Sequence, residues 1–484
     1  MANFYTPKKN KKADAANSHL IGKRVSISIS HLDHFAQGVS ADHDPLIFVE
    51  GALPGEIAEV EITEHRGKVC TARLLKITQP SVNRQPPFCE HFEMCGGCQT
   101  QHCQTSAMLK FKQDAIQNLI LHTSLDTEKN THSPKRVLSK ASRGGKNIKL
   151  AKVADKQAQI NWQAPLHSEE KGYRRKTRLS VDARNPDAIK VGFRAKGSNK
   201  IFNLSQCPVL KGELEQLIVP LQKTLADMQT PSNVGHISLL SVDNGTQVLI
   251  RTVHNLSQHD KALLADFAED NDVQLILEDK QHNQQTLNQE AKLLAYKIND
   301  KLELDIHHDD FVQVNADINQ KMIKQAIQWL QLEANDSVLD LFCGIGNFSL
   351  AIAEQCERVV GIEGVAKMVQ RAQHNATQNQ LDNCQFIHAD LNSTKLTEHG
   401  QTAKCNKVLL DPAREGALSA VKQLASLKPS HIVYVSCNPA TFARDAALLI
   451  GKNYRLDKLS LLDMFPQTAH TELMALFVPL TKRK

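Results

Sequence analysis

Three short runs bring together side chains that can do chemistry. Ser436-Cys437-Asn438-Pro439 ends the apolar run HIVYV, and Leu410-Asp411-Pro412-Ala413-Arg414 ends KVLL. Proline cannot continue a strand ladder but suits the first turn of a helix. Each run therefore predicts a strand-to-helix turn presenting a thiol or a carboxylate. Such ends lie on the carboxyl edge of an open α/β sheet, where ligands bind. Cys437 is then a candidate nucleophile, although a cysteine at a strand end is more often a small buried hydrophobe. The third run is Cys89-x5-Cys95-Gly96-Gly97-Cys98. Three thiols so close together in a reducing compartment read as metal ligands. A fourth thiolate is needed, Cys103 is the nearest in sequence, and spacing alone leaves zinc and iron–sulfur open.

A glycine turn adds a cofactor site. Asp340-Leu341-Phe342-Cys343-Gly344-Ile345-Gly346-Asn347-Phe348 leads from a strand into a helix, and Glu363 ends the next strand, 19 residues beyond Gly344. An acid in that place suits ribose hydroxyls. Ser349 stands where a dinucleotide fold has its third glycine, and no Gly-Lys-Ser/Thr follows. A ligand without phosphates, such as S-adenosylmethionine, fits better than NAD or a nucleotide triphosphate.

These runs need a frame. SVLDLF, RVVGIE, CQFIHA, KVLLD and HIVYVSC alternate with amphipathic segments at 316–333, 347–356, 366–379, 415–426 and 439–450, and LSLLDMF and LMALFVPL follow. The alternation predicts an α/β doubly wound parallel sheet over 306–484. Short β-rich runs between residues 18 and 78 predict a small barrel, with Phe35 and Phe48 as stacking or core groups and core the better reading for Phe48. A central α+β region spans 79–305. It holds a helix over 105–122, placed to pack on the C-terminal domain, and strands near 176–182, 189–194 and 201–205. Residues 1–17 read as a basic flexible tail and 123–165 as a mobile basic insertion.

The chain has 484 residues, 41% hydrophobic and 23% charged, with eleven cysteines and a net charge of +6. No run of about 18 apolar residues predicts a membrane span, and the start MANFYTPKKNKK lacks a secretory apolar core. We expect a cytoplasmic monomer without membrane contact. Its charge is uneven: Lys8, Lys9, Lys11 and Lys12 crowd the tail, nine Lys or Arg residues face Asp155 alone between Lys129 and Lys156, and Arg174, Arg175, Lys176 and Arg178 share one strand. Such clusters suit a polyanion, and the last is placed to line an RNA path.

DLFCGIGNFSL, LLDPAREG, VYVSCNPAT and LDMFPQTAHTELM together resemble the RNA uracil-C5 methyltransferase family, nearest to members that act on 23S ribosomal RNA. The resemblance runs from about residue 18 to the C-terminus, omitting 123–165. It implies an N-terminal TRAM domain (an OB-like RNA-binding barrel), a Rossmann-like methyltransferase domain and a 4Fe-4S cluster on Cys89, Cys95, Cys98 and Cys207. It implies Cys437 as the nucleophile that adds to carbon 6 of a flipped uracil and Glu472 as the base that removes the carbon-5 proton. It implies S-adenosylmethionine contacts at Gln313, Phe342, Asn347, Glu363, Asp390 and Asp411, with asparagine in the family's pattern where Asp390 stands here. Other substrates within the family are another 23S uridine or the transfer RNA T-loop. Outside the class stand an iron–sulfur RNA-binding assembly factor and a Gly-x-Gly oxidoreductase.

Overall fold

The computed structural model describes residues 20–130, 160–288, 293–393, 395–396 and 400–480. The expected basic tail lies outside them, as does residue 131–159 of the expected insertion.

The first sheet holds β1 (Arg24–Ser28), β2 (His31–Leu32), β3 (Gly38–Ser40), β4 (Leu46–Val49), β5 (Ile57–Arg66) and β6 (Val69–Gln79) in the order β1-β5-β6-β4-β3-β2. Its edge strands β1 and β2 are consecutive in the chain, so the sheet curls into a small barrel. Period-two alternation turns Ala58, Val60 and Ile62 of β5 inward and leaves Glu59 and Glu61 outside. The same alternation corrects the expectation for Phe48. Ile47 and Val49 fill the core while Phe48 between them is only half-buried, and Phe35 is exposed. The short β3 was not anticipated. Arg84 pins the following linker to the barrel through fully buried Glu56, with Nε 2.5 Å from its carboxylate.

A 26-residue helix, α1 (Thr105–Asn130), comes next. The second sheet contains β7 (Lys176–Asp182), β8 (Lys190–Arg194), β9 (Ile201–Asn203), β10 (Val234–Val242), β11 (Gly245–Thr252), β12 (Gln274–Glu278) and β13 (Gln284–Thr286), ordered β13-β12-β11-β10-β7-β8-β9. α2 (Gly212–Glu215), α3 (Ile218–Asp227) and α4 (Gln258–Asp270) cover it and share its core. A hairpin of β14 (Leu294–Lys297) and β15 (Glu303–Ile306) leads to α5 (Ala316–Leu330).

The last sheet is the doubly wound one. It comprises β16 (Ser337–Leu341), β17 (Arg358–Glu363), β18 (Cys384–His388), β19 (Lys407–Leu410), β20 (His431–Ser436), β21 (Tyr454–Leu462) and β22 (Glu472–Pro479), in the order β18-β17-β16-β19-β20-β22-β21. The first five strands are parallel, and β22 runs antiparallel to both β20 and β21. Alternation sends Val338, Leu409 and Val433 into one face with α5 and α6 (Ser349–Ala353). Leu339, Val408 and Ile432 enter the other with α8 (Leu418–Leu427) and α9 (Pro439–Gly451). α7 (Ala366–Gln378) follows β17.

Two features tie the earlier chain to this sheet. Leu109, Ile116 and Ile120 of α1 enter the α8–α9 face, each burial worth roughly 1.5–3 kcal/mol. The β14–β15 hairpin enters the other face, so the C-terminal core reaches back before residue 306. No helix among the described residues is long and apolar enough to cross a membrane.

Candidate active site and thiol-lined cavity

Chain order reverses between β16 and β19, the place where a doubly wound sheet opens a crevice. A cavity of about 450 Å³ lies there, lined by Gln313, Phe342, Asn347, Glu363, Asp411, Cys437 and Glu472 among others. Local chemistry explains each position. Phe342 (φ 64), Gly344 (φ 56) and Gly346 (φ 98) turn the chain sharply after β16, and a Cβ on Gly346 would meet Leu350 Cδ1 at 2.5 Å. A left-handed phenylalanine is strained backbone held by its surroundings. Glu363 closes the turn, accepting from Gly344 N–H at 3.1 Å and Val365 N–H at 3.0 Å. Asn347 exchanges 2.9 Å hydrogen bonds with Asn319 and accepts from the Tyr296 hydroxyl at 3.2 Å.

Cys437 follows the last residue of β20. Asn438 caps α9 by accepting from Ala440 N–H at 3.1 Å, and Pro439 begins its first turn. The Asn438 amide donates to the Arg414 carbonyl at 2.9 Å, locking the Cys437 turn to the Asp411–Arg414 loop. Glu472 opens β22. Because β22 is antiparallel to β20, with Leu473 opposite Ser436, its first residue falls at the same sheet edge as the last residues of the parallel strands.

The electrostatics are unusual for carboxylates. Burial, then the charge of Asp411, pushes Glu472 up to about 8. Burial lifts Asp411 to about 7. Burial, then Glu472 and Asp411, raises the Cys437 thiol to about 11, while Arg414 pulls the other way. Burial thus raises Glu472, Asp411 and Cys437 together, and a cation entering the cavity would favour their ionised forms.

Asp390 departs from the other expected contacts. It is exposed beyond β18, does not line the cavity, and accepts from Asn392 N–H at 2.9 Å and the Ser393 hydroxyl at 3.1 Å. Sequence reasoning missed several residues of the site. Tyr296, Phe311, Phe465 and His470 line it, and Asp340 lies buried below it. Burial first, then Asp411 and Glu363, lifts Asp340 to about 7; one of its oxygens accepts from Ser349 at 2.5 Å and the other has no partner among the described residues. Arg414 and His470 were visible inside DPAREG and TAHTELM, but nothing in their spacing gave them a role.

Cys89, Cys95, Cys98 and Cys207 line a second cavity of about 310 Å³. Cys103 does not join them; it is buried with Leu32, Leu53 and Met108 beneath the barrel. Burial raises Cys98 to about 11 and Cys207 to about 12, and each is raised further by the other thiols. Among the described residues, the one group of three metal-type ligand atoms within 4.8 Å of one another is His307, His308 and Asp309. No three of these sulfurs are that close. Tetrahedral zinc, with Zn–S of about 2.3 Å, draws its sulfurs to about 3.8 Å from one another. Four thiols around one cavity supply the donor set of a four-thiolate metal site.

The strand expected to line an RNA path is split by alternation. Arg178 is exposed and Arg174 half-buried, both lining the thiol cavity. Arg175 is 1% exposed, which corrects its assignment as an RNA contact. Its guanidinium lies 4.3 Å from the Tyr296 ring centre and its Nε donates to the Gln313 carbonyl at 2.8 Å, so it braces one wall of the first cavity.

The family described as tRNA (Uracil-5-)-methyltransferase matches residues 140–479, and the TRAM domain matches residues 19–75. The chain is 39% identical to the 23S rRNA (uracil(1939)-C(5))-methyltransferase RlmD of Shewanella frigidimarina, with 99% of each chain covered. It is 39% identical to the RlmD of Aliivibrio salmonicida over 99% of this chain and 100% of that one. Among solved structures, the Pyrococcus abyssi tRNA (uracil-54, C5)-methyltransferase in complex with S-adenosyl-L-homocysteine superposes with a TM-score of 0.67 at 21% identity, covering 94% of this chain and 100% of that one. At that identity the likeness speaks for the fold.

Proposed function

The chain belongs to the RNA uracil-C5 methyltransferase family, and from that premise we propose that it methylates carbon 5 of one uridine in 23S ribosomal RNA, the position numbered 1939 in its relatives. S-adenosylmethionine is the methyl donor. The observation that carries the reading is the convergence of Cys437, Glu472 and Asp411 on one cavity at the switch point.

Carbon 5 of uracil is too weak a nucleophile for direct methylation. After the Cys437 thiol gives its proton to solvent, the thiolate adds to carbon 6 and the C5–C6 π pair moves into an enolate whose carbon 5 can attack. S-adenosylmethionine supplies a methyl group on a positively charged sulfur. Gln313, Phe342, Asn347, Glu363 and Asp411 would hold it, with Glu363 on the ribose hydroxyls. The fit rests on a wall that is apolar at Phe342, Ile345, Phe348 and Met368 and acidic at Glu363 and Asp411, which suits a cation without phosphates. Asp390, carried over for the adenine amino group, has its carboxylate engaged by its own turn and is the weakest of the six. Once carbon 5 bears the methyl, Glu472 takes its proton, the C5–H electron pair re-forms the C5–C6 double bond, and the Cys437 thiolate leaves. Arg414 favours the thiolate at both ends of the cycle.

The thiol-lined cavity is read as the site of a 4Fe-4S cluster on Cys89, Cys95, Cys98 and Cys207, supported by their spacing and by the absence of Cys103 from the set. The barrel, the exposed Arg178 and the half-buried Arg174 are read as RNA-binding surface. The whole reading is tested by mapping 5-methyluridine in 23S ribosomal RNA from cells with and without this gene. Loss of the methyl at one uridine, restored by the gene, is expected; an unchanged map contradicts the reading.

A further inference from the structure

The loop that carries Cys95 and Cys98 is hydrogen-bonded to the loop that leads into Glu472. Cys98 is followed at once by Gln99 and Thr100, whose backbone N–H groups both donate to the Gln467 carbonyl, at 2.9 and 3.2 Å. The Gln99 side chain spans the two loops. Its Nε2 donates to the Gly96 carbonyl at 2.9 Å, and its Oε1 accepts from Ala469 N–H at 3.2 Å. Neighbouring segments reinforce the attachment: the Tyr173 hydroxyl donates to the Pro466 carbonyl at 3.0 Å, Lys112 Nζ to the His470 carbonyl at 3.0 Å, and Gln467 Nε2 to Glu170 at 2.8 Å.

The held loop is short and strained. Gln467 has φ 67, a left-handed conformation uncommon for a residue with a Cβ. Phe465 and His470 from this loop line the active-site cavity, and Glu472 begins β22 two residues after His470. Nothing in the reaction needs Gln99 near the substrate, yet it joins the backbone of the thiol loop to the backbone that precedes the base. A side chain held at both ends transmits position, and misplacement of a reacting group by about 1 Å can cost 100-fold in rate.

We propose that Gln99 is a positioning residue for proton removal at carbon 5: the cysteine loop fixes the conformation of residues 465–470 and, through it, the place of Glu472. The cysteine loop then acts on proton removal through this attachment. The inference rests on the reading of Glu472 as the base.

Gln99→Met keeps the length of the side chain and removes both of its hydrogen bonds; Gln99→Glu keeps the acceptor for Ala469. With unmodified 23S RNA fragment and S-adenosylmethionine, Gln99→Met should show kcat about tenfold lower, with KM for S-adenosylmethionine and RNA affinity within about twofold of the parent. Because addition and methyl transfer precede the affected step, a methylated covalent protein–RNA complex should appear on denaturing gels during turnover. Gln99→Glu should recover most of kcat and show little complex. Should Gln99→Met not fold, Gln467→Gly tests whether residues 465–470 must be held, since glycine takes φ 67 freely and loses the Nε2 bonds to Glu170 and Thr105 while its carbonyl still accepts from Gln99 and Thr100. A folded variant that turns over like the parent, or that slows without forming the complex, overturns the proposal. Glu472→Gln run alongside tells the two failures apart. If it accumulates the complex while the Gln99 and Gln467 variants do not, the positioning role has failed. If it too forms none, the base assignment has failed.

Discussion

Cys437 and the quartet Cys89, Cys95, Cys98 and Cys207 occupy cavities of about 450 and 310 Å³, and burial raises thiol pKa values in both. The surroundings differ. Around the quartet the other influences that raise a thiol are the remaining thiols, so ionising all four needs a positive guest that stays in place. Around Cys437 they are the carboxyls Glu472 and Asp411, opposed by Arg414, in a cavity large enough for a cofactor and a base. On the proposed reading, the thiol-lined site holds its cation permanently. The other raises its thiol by burial and by two neighbouring carboxyls, in a cavity with room for a cofactor.

The contrast is broken most severely at Cys437. Cys437→Ala should lower methyl transfer at least about a thousandfold, while RNA affinity stays within about twofold. Substantial residual transfer would mean that the ring is activated without this sulfur. Cys98→Ser attacks the other site. The anaerobically purified parent should be brown and contain iron, and the variant should lose the iron and lose RNA binding or solubility. S-adenosylmethionine binding, read by calorimetry, should survive within about twofold because the C-terminal sheet has its own core. Stoichiometric zinc in the parent would overturn the cluster.

Arg175 sharpens the division of labour between the two regions, since it lies in the same basic run as Arg174 and Arg178 but packs against the wall of the first cavity. Arg175→Met should weaken S-adenosylmethionine binding about tenfold, the worth of one charge-assisted hydrogen bond at roughly 1.5–3 kcal/mol. The salt dependence of RNA binding should not change. A flatter salt dependence with normal cofactor affinity would return Arg175 to the RNA surface.

The smallest expected effect is on pH. Glu472 must be ionised to accept a proton and is raised from 4.5 to about 8, so kcat should climb between pH 7 and 9. The stability effect has the opposite sign. A carboxyl whose pKa is raised by folding contributes most below the unfolded value near 4.5, and that contribution is lost as pH rises through about 8. Glu472→Gln should therefore melt higher than the parent at pH 8.5, with the difference shrinking toward pH 5. A constant difference across that range would mean that Glu472 titrates normally.

Much of this was legible in the sequence where chemistry and periodicity coincide. The turns after β16, β19 and β20 are marked by glycines or prolines at strand ends, and they carry Phe342, Asp411 and Cys437. The three clustered cysteines meet Cys207 around one cavity. What stayed hidden depends on long-range packing. Glu472 has no local signature: it reaches the site because β22 runs antiparallel beside β20, and only the resemblance singled it out. Arg175 reads like its basic neighbours, but it sits just before β7, buried against the Tyr296 ring and the Gln313 carbonyl. The docking of α1 on the C-terminal sheet and the Gln99 bridge to Ala469 join residues some 350 positions apart, beyond the reach of any spacing rule.

Covalent catalysis by Cys437 is tested most directly with RNA carrying 5-fluorouridine at the target position, where fluorine replaces the proton that the base must remove. The protein with S-adenosylmethionine and this RNA should form a complex stable to denaturation. After nuclease and protease digestion, mass spectrometry should find a methylated fluorouridine adduct on the peptide containing Cys437. An adduct on another residue, or full turnover with no adduct, would contradict the account.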